Sequence, residues 1–291
     1  MNARCEMRRV GHRLLRLCRP LVWRIDLDAP TLQDRRRLAW LGAEERKRYD
    51  RFCYARDAAR YLAAHVALRD ILGQLLRRRP ETLEFTRTRY GKPMLSDSPL
   101  AFSLSHSSGV ALVAVAPGPT VGVDLECGDL GSHTGLVEAI AGPAELARVE
   151  RLSNREFRWL WTAKEAVLKA YGTGLHTDPR NVAVPLSRPT SATISISRHA
   201  GRVSLWRVHS LAASGFGGAL ALPASQPAAS PLVKTYRHGS REARHQNERP
   251  SRTPNWLKAR HIRINGTCEN EGQFAFYEIA VTTGQPEARG Y

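Results

Sequence analysis

Apolar and polar positions alternate along parts of this chain and repeat at helical spacing along others, which predicts a mixture of strands and helices. The run from Val22 to Asp28 alternates as a strand, whereas residues 43–76 repeat apolar side chains on one helical face, with a break near residues 52–54. Further strands are predicted over residues 83–86, 101–105, 111–116, 121–126, 182–184, 192–197, 202–207 and 218–221, and further helices over residues 136–152 and 155–171. Because the order of strand, helices and strands occurs twice, we predict an α+β fold of two similar halves.

Composition and pattern divide the chain into four parts. They are a basic N-terminal arm over residues 1–20, a first α+β half over 21–120, a second α+β half over 121–223 and a basic tail over 224–291. The tail begins with a Pro/Ser/Ala-rich linker and continues as an Arg- and His-rich stretch with almost no apolar periodicity, which predicts disorder. A chain that ends at Ala224 is therefore expected to fold and to keep its activity.

The most informative stretch is Phe157–Ala170, which places a carboxylate and two cations about one helical turn apart, beside aromatic residues. Glu165 and Lys169 are four residues apart, so on a helix they lie on one face. An ordinary surface ion pair is the alternative interpretation, and it would be preferred for an isolated pair. Other polar motifs upstream favour a functional role for this pair.

Two carboxylates occupy the predicted strand at residues 121–126. Asp124 and Glu126 are two apart, so they project from the same face of the strand and repel each other unless a cation neutralises them. Mg²⁺ is commonly held by a few carboxylates together with water and substrate phosphate, which makes it a suitable partner. A solvent-facing acidic edge strand is the alternative.

Two further motifs carry groups that can contact phosphate. The strand at residues 101–105 runs into a polar turn that ends in glycine, and Ser105 and His106 lie at this strand end, where hydroxyl, imidazole and backbone N–H groups can donate hydrogen bonds to a phosphate. Lys92 lies in a turn formed by Tyr90-Gly91-Lys92-Pro93. The alternatives are a structural histidine and a solvated lysine.

The four motifs occur in a specific order: Gly-Lys-Pro, Phe-Ser-Leu-Ser-His-Ser, Gly-Val-Asp-Leu-Glu and Trp-Thr-Ala-Lys-Glu-Ala-Val-Leu-Lys. In this order the chain resembles the 4'-phosphopantetheinyl transferases, specifically the larger surfactin-synthetase-activating (Sfp) type. The last two motifs form that family's signature, and their separation of about forty residues fits it. The resemblance covers residues from about 22 to about 223 and implies a pseudo-dimer of two α+β halves with the active site at their junction.

The resemblance also implies a reaction: a serine hydroxyl of an apo acyl or peptidyl carrier protein attacks the β-phosphate of coenzyme A, and 3',5'-ADP leaves. It implies that Asp124, Glu126 and Glu165 bind Mg²⁺, or Mn²⁺ in its place, and that Glu165 is the base. Lys169 would neutralise the pyrophosphate. The phosphate and adenosine contacts implied are Ser105, His106, Lys92 and the arginines Arg46, Arg48, Arg56 and Arg60. Glu45 stands where the family has a lysine.

The formal net charge of +17 favours an acidic partner, such as a carrier protein with an acidic recognition surface, nucleic acid, a membrane surface or a polyphosphate. A basic nucleic-acid-binding protein is the alternative function, although it does not explain the acids and lysines of the motifs. A coenzyme-A-binding homologue without transfer activity is a further alternative, which the intact motif positions disfavour.

Five scattered cysteines without zinc spacing indicate reduced thiols. No apolar run approaches the ~20 residues that span a bilayer. These two features lead us to expect a cytoplasmic protein that does not bind a membrane. We also expect a monomer that does not bind nucleic acid.

Overall fold

The computed structural model of this protein describes residues 19–96, 98–128, 134–148, 152–187, 190–197, 203–211, 213, 215–227 and 229–238. Within these residues the helices are α1 (Ala43–Tyr49), α2 (Ala55–Leu76), α3 (Thr134–Ile140), α4 (Pro143–Leu146) and α5 (Asn154–Tyr171). The strands are β1 (Leu21–Asp26), β2 (Phe85–Arg87), β3 (Pro93–Leu95), β4 (Leu100–Ser107), β5 (Val110–Pro117), β6 (Gly122–Cys127), β7 (Val182–Ala183), β8 (Ser191–Ser197), β9 (Val203–Ser210), β10 (Phe216–Pro223) and β11 (Leu232–Thr235). Mixed helices and sheets confirm the predicted α+β class.

The first half is a four-stranded sheet in the order β11-β1-β5-β4, in which only β11 runs parallel to its neighbour. Helix α2 supplies much of the adjoining core, because Leu62, Val66 and Leu72 are fully buried together with strand residues such as Ile25 and Val113. The predicted helical break is confirmed, since α1 ends at Tyr49 and α2 begins at Ala55.

The second half is a five-stranded antiparallel sheet in the order β6-β10-β9-β8-β7, with α5 packed on β6 and β10. Helix α5 begins with a capping box, in which Ser153 and Glu156 each bond the other's backbone N–H, and ends at Gly172 in the left-handed conformation (φ 86°). These two caps set the ends of the helix that carries the lysine and glutamate motif.

An apolar layer joins the two halves. Val22 and Leu112 of the first sheet pack with Val123, Leu125 and Leu220 of the second in one buried cluster. Strands β4 and β6 also lie side by side, since Ser103 Oγ accepts a hydrogen bond of 3.1 Å from the backbone N–H of Val123. The motif strands of the two halves are therefore held together directly. The similarity of the halves and the domain limits stay predictions.

Three predicted elements differ from the structure. The predicted helix over 136–152 is interrupted at residues 141–142, where α3 ends and the Gly142 cap of α4 begins; residues 149–151 lie outside the described part. Strand β3 begins at Pro93, inside the expected turn. Strand β11 lies in the stretch for which disorder is predicted, so that prediction is wrong for residues 229–238. The basic arm, apart from its last two residues, and residues 239–291 lie outside the described part.

The described end of the tail is anchored to the first half. The Leu232 N–H donates to the Pro20 carbonyl at 2.9 Å, and the Tyr236 N–H donates to the Arg24 carbonyl at 2.8 Å. The Tyr236 hydroxyl donates to Asp70 on α2 at 2.5 Å. These contacts explain why a stretch of low apolar content is ordered: its backbone completes the edge of the first sheet.

We therefore expect a chain that ends at Ala224 to be less stable than a chain that ends at His238. The shorter chain loses the β1–β11 ladder, and at about 1 kcal/mol for each hydrogen bond its free energy of unfolding should fall by at least ~2 kcal/mol. Urea unfolding of both chains and of the full chain measures this. Equal stability of the two truncated chains would restore the boundary at residue 224.

Candidate active site

The third and fourth motifs meet where β6 passes under α5. A Cβ atom on Gly122 would lie 2.0 Å from the Ala166 carbonyl oxygen and 2.5 Å from the Ala170 nitrogen, distances that no side chain tolerates. Only glycine allows this close approach of strand to helix. As a consequence, Asp124 lies beside Lys169, with the two polar groups buried in the interior.

Asp124 and Lys169 form a buried ion pair. The Lys169 Nζ donates to Asp124 Oδ1 at 2.6 Å and to Ser105 Oγ at 3.1 Å, and Ser105 Oγ donates to the same carboxylate oxygen at 2.8 Å. Burial lowers the pKa of Lys169, but the charges of Asp124 and Glu165 outweigh it and raise this pKa, so the lysine stays charged. Ser105 of the Phe-Ser-Leu-Ser-His-Ser motif and Lys169 of the helical motif thus both contact the Asp124 carboxylate. Because these groups are buried, the alternative interpretations as a solvent-facing acidic strand and as a surface ion pair are wrong.

Glu126 lies at the edge of this cluster. Its two oxygens accept hydrogen bonds from Ser107 Oγ at 3.0 Å and from the Trp161 indole nitrogen at 3.3 Å. Burial and the nearby charge of Asp124 raise the pKa of Glu126 to about 7. This carboxylate is therefore held in place by neutral donors, and among the described residues no cation forms an ion pair with it, although the charge of Lys169 opposes the rise in its pKa.

Glu165 is 3 % exposed, and its Oε1 has no hydrogen-bond partner among the described residues. Burial raises its pKa to about 7; Lys169 opposes this rise, and Asp124 and Glu126 add to it. Asp124 Oδ2 is a second buried oxygen without a partner in the described structure. Such unpaired carboxylate oxygens cost free energy unless a cation or a proton donor binds them.

The donor chemistry of these carboxylates fits a hard divalent cation, because Mg²⁺ takes oxygen ligands and Asp124 and Glu165 each keep a buried oxygen unused. Within the described part of the chain, no three His, Cys, Asp or Glu side chains are already arranged around one metal position. The Lys169 ammonium instead occupies the other oxygen of Asp124. The assignment of Asp124, Glu126 and Glu165 as metal ligands stays a prediction.

His106 follows Ser105 on β4 and is half-buried. Burial lowers its pKa to about 3, and the charges of Lys169, Arg48 and Arg60 contribute to this shift. The imidazole is therefore neutral at physiological pH and can donate one hydrogen bond without adding charge. Arg48 and Arg60 are thus two of the cations whose charge acts on this ring.

Comparison with known proteins agrees with this arrangement of motifs. The family model described as the 4'-phosphopantetheinyl transferase superfamily matches residues 120–222, and a model of the N-terminal part of 4'-phosphopantetheinyl transferase matches residues 29–118. The 4'-phosphopantetheinyl transferase HetI of Nostoc sp. is 37% identical over 167 residues, which cover 53% of this chain and 69% of HetI.

This chain belongs to the 4'-phosphopantetheinyl transferase superfamily. Two relatives from Bacillus subtilis support the predicted Sfp-like type. The transferase named ffp is 28% identical over 185 residues, covering 61% of this chain and 82% of ffp. The transferase named Sfp is 26% identical over 182 residues, covering 60% of this chain and 80% of Sfp. The chain has, within its described residues, no helix of the length and apolarity that crossing a membrane requires.

The arginines predicted to bind phosphate in this transferase have different surroundings. Arg60 forms a two-pronged pair with Asp28, with nitrogen to oxygen distances of 2.9 and 3.0 Å. Arg56 is exposed at the start of α2, Arg46 is exposed on α1, and Arg48 is half-buried. Of these four arginines, Arg48 and Arg60 contribute to the lowered pKa of His106.

Lys92 is placed differently from the predicted adenosine contact. Its Nζ is buried and donates to Thr120 Oγ1 at 2.6 Å, to the Val121 carbonyl at 2.9 Å and to the Ala170 carbonyl at 3.3 Å. Burial lowers the pKa of Lys92 to about 7. All three donors of this amine are used between the Gly-Lys-Pro turn, the start of β6 and the end of α5, so we interpret Lys92 as a residue that joins the halves.

Replacing Lys92 should therefore affect stability more than coenzyme A binding. Lys92→Met removes the amine that donates to the Val121 and Ala170 carbonyls and to Thr120 Oγ1, although the Thr120 hydroxyl still donates to the Ala170 carbonyl. The substitution should lower the free energy of unfolding by at least ~2 kcal/mol and raise the KM for coenzyme A by no more than a few fold. Lys47→Met, at an exposed lysine paired with Glu44, is the control. A large rise in the KM for coenzyme A without a loss of stability would contradict this interpretation and support the predicted adenosine contact.

Glu45 has a structural role that the sequence motifs did not indicate. It is 7 % exposed, and its oxygens bond the Gly42 N–H at 2.7 Å, Arg69 Nε at 2.9 Å and His65 Nδ1 at 2.7 Å. Arg69 in turn donates to the Pro80 carbonyl at 2.9 Å. The separation of three residues between Gly42 and Glu45, typical of a helix cap, is the signal that could have revealed this role.

Glu45 should make the protein sensitive to acid. Burial raises its pKa, but His65 and Arg69 outweigh burial and lower it from 4.5 to about 2. A depressed folded-state pKa gives stability that is complete above the unfolded value and is lost as the pH falls from about 4.5 to about 2. At pH 7 Glu45→Gln should cost about 3–5 kcal/mol, because it leaves a buried guanidinium unpaired.

Chemical denaturation of wild type, Glu45→Gln and Glu44→Gln over this pH range checks the expectation. Glu44 is the matched control, since its carboxylate is exposed and pairs with Lys47 on the surface. The Glu45 variant should lose less stability than wild type as the pH falls from about 5 to about 2. Equal pH dependence of wild type and the Glu45 variant would contradict the account.

A second buried ion pair, Lys164 with Glu145, also lies outside the predicted site. The Lys164 Nζ lies 2.8 Å from Glu145 Oε2 and donates to the Pro179 carbonyl at 3.0 Å. The Val184 N–H donates to the other Glu145 oxygen at 2.7 Å. Of the two lysines in the fourth motif, Lys164 therefore ties α5 to α4 and β7, and Lys169 faces the acidic cluster.

Proposed function

We propose that this chain transfers the 4'-phosphopantetheine arm of coenzyme A to a serine of an apo acyl or peptidyl carrier protein and releases 3',5'-ADP. One observation carries the proposal: Ser105 of the first half and Lys169 of the second meet on the buried carboxylate of Asp124. Glu126 and Glu165 lie within electrostatic range of that carboxylate. This combination of a fixed cation, hydroxyls and uncompensated acids suits the handling of a pyrophosphate.

Glu165 is the residue best placed to act as the base. A base works best when its pKa lies near the working pH, and burial brings the pKa of Glu165 to about 7. It would accept the proton of the carrier serine while the serine oxygen bonds to the β-phosphorus. The bond from that phosphorus to the bridging oxygen then breaks, and the electron pair leaves with 3',5'-ADP.

Fixed polar groups would orient the donor. Lys169 keeps its charge despite burial and can neutralise the pyrophosphate next to Asp124. The neutral ring of His106 and the turn that follows it can donate hydrogen bonds to a phosphate, with Arg48 and Arg60 nearby. Mg²⁺ held by Asp124, Glu126 and Glu165 would supply Lewis-acid stabilisation of the charge that develops on the phosphates.

The carrier protein is expected to present an acidic surface, because the chain carries a formal net charge of +17. The same charge would suit nucleic acid, the alternative partner. A protein that binds nucleic acid through surface charge alone does not require a buried ion pair. The buried Asp124–Lys169 pair therefore favours the transferase function.

Release of 3',5'-ADP tests the proposed function. Chromatography of a mixture of the chain, coenzyme A, Mg²⁺ and an apo carrier protein should show 3',5'-ADP that accumulates in proportion to the carrier. A carrier whose acceptor serine is replaced by alanine should give none. Binding of coenzyme A without product in any carrier mixture would favour the homologue without transfer activity.

A further inference from the structure

A cavity of about 280 Å³ lies between the two halves, away from the acidic cluster. Its walls come from β1, β5 and β11 of the first sheet and from β8, β9 and β10 of the second. Ligand sites in proteins commonly enclose ~300–1,000 Å³, so this cavity is at the lower end and suits a small molecule.

The cavity is distinct from the proposed active site, since its lining includes none of Ser105, Asp124, Glu126, Glu165 and Lys169. Its apolar wall includes Val22, Leu112 and Phe216, which belong to the same buried cluster as Val123 and Leu125. Successive side chains of a strand point to opposite faces. Asp124 and Glu126 alternate with Val123 and Leu125 along β6, so they face away from the apolar cluster. Their hydrogen bonds are made to residues of β4 and α5.

The polar side of the cavity is cationic. Arg24 lines it, and within the described residues no side chain forms an ion pair with this guanidinium. Lys234 also lines the cavity. Its ammonium lies 5.8 Å from the centre of the Trp23 ring. Trp23 and Arg24 are neighbours on β1, so their side chains point to opposite faces of the strand. The described lining includes hydroxyl groups, and no acidic side chain is among its described residues.

His209 adds a buried group that lacks a partner. It lines the cavity, is 5 % exposed, and its Nε2 has no hydrogen-bond partner among the described residues. Burial and the charge of Arg207 lower its pKa, so the ring is neutral at pH 7 and can donate one hydrogen bond. A buried ring nitrogen without a partner and a guanidinium without an ion pair that line one cavity form an arrangement expected where an anion binds.

We propose that this cavity binds a small organic anion, with its carboxylate or phosphate head on Arg24 and His209 and its apolar body against Val22, Leu112 and Phe216. The planar guanidinium matches either head group with two parallel hydrogen bonds. The site is independent of phosphopantetheine transfer, because none of these five residues belongs to the acidic cluster.

Binding of benzoate and phenyl phosphate to the full chain tests the proposal, with inorganic phosphate as the probe that lacks an apolar body. Chemical shifts of the backbone amides, followed by NMR during titration, should show saturable binding of at least one aromatic anion at β1, β9 and β11. The two aromatic probes distinguish a carboxylate ligand from a phosphate ligand. Saturable binding of neither, or equal affinity for inorganic phosphate, would overturn the proposal.

Three substitutions locate the anion. Arg24→Gln should weaken binding of the aromatic anion at least ~tenfold, as for loss of a hydrogen bond to a charged group, and His209→Gln should weaken it to a smaller extent. Arg148→Gln, an exposed arginine outside the cavity, should leave it unchanged. If Arg24→Gln does not fold, Arg24→Lys keeps the charge without the fork and should still weaken binding several fold. Unchanged affinity in the folded Arg24 variant would overturn the assignment.

Discussion

Asp124→Asn is expected to reduce phosphopantetheine transfer by about 100- to 1,000-fold, the effect of removing one fixed electrostatic group from an active site. The substitution keeps the shape of the side chain, but it removes the charge that holds Lys169 at 2.6 Å. It also removes one of the three carboxylates proposed to bind Mg²⁺. Turnover should be measured with saturating coenzyme A and carrier protein, so that a loss of affinity does not hide the loss of rate.

Loss of the Asp124 charge also leaves a buried ammonium unpaired, which by itself costs about 3–5 kcal/mol of stability. Asp124→Asn combined with Lys169→Met removes both charges and should recover much of this stability without recovering activity. Asp178→Asn is the control, because Asp178 pairs with Arg180 on the surface of the second half. Recovery of turnover in the double variant would mean that the pair serves folding alone.

Glu165→Gln is expected to lower the rate of transfer by at least ~100-fold, as for the loss of a general base. Glutamine keeps the size of the side chain and an uncharged oxygen that can still accept a hydrogen bond or contact Mg²⁺, with Asp124 and Glu126 unchanged, so coenzyme A should bind within a few fold of wild type. Single-turnover measurements of carrier modification, with calorimetric binding of coenzyme A, separate the rate from the affinity.

The stability of Glu165→Gln distinguishes a catalytic loss from a folding defect. The folded-state pKa of Glu165 is raised from 4.5 to about 7, so its contribution to stability is present below the unfolded value and is lost as the pH rises through about 7. A neutral glutamine avoids this loss, and the variant should be at least as stable as wild type at pH 8. A variant that is stable and retains near-wild-type turnover would return Glu165 to a structural role.

The sequence predicts which elements carry the residues of the candidate site, but it does not predict that these residues are buried. Spacing alone placed Asp124 and Glu126 on one strand and Glu165 and Lys169 on one helical face. Their burial could not be predicted in this way, because it depends on the close approach of β6 to α5 at Gly122. A surface ion pair and a buried one have the same sequence spacing, and tertiary packing decides between them.

Lys92 and Glu45 show the limit of motif reasoning. The Gly-Lys-Pro turn indicates where the chain bends, but the carbonyl groups that bind the Lys92 amine lie 29 and 78 residues further along the chain. Glu45 lies in a charged stretch of sequence that is typical of an exposed helix. Its partners His65 and Arg69 come close to it only through the packing of α1 on α2, which the sequence does not show. Strand β11 was missed because a parallel edge strand is ordered by backbone pairing, which leaves little pattern in apolar side chains.

Mass spectrometry of the intact carrier protein shows directly whether this chain transfers phosphopantetheine. An apo carrier protein is incubated with the full chain, coenzyme A and Mg²⁺, and its mass is compared with that of a sample containing Glu165→Gln. We expect a gain of one phosphopantetheine at the acceptor serine with wild type, and at most a trace of it over the same time with the variant. A carrier whose mass stays unchanged with the wild-type chain, across acyl and peptidyl carriers, would contradict the account.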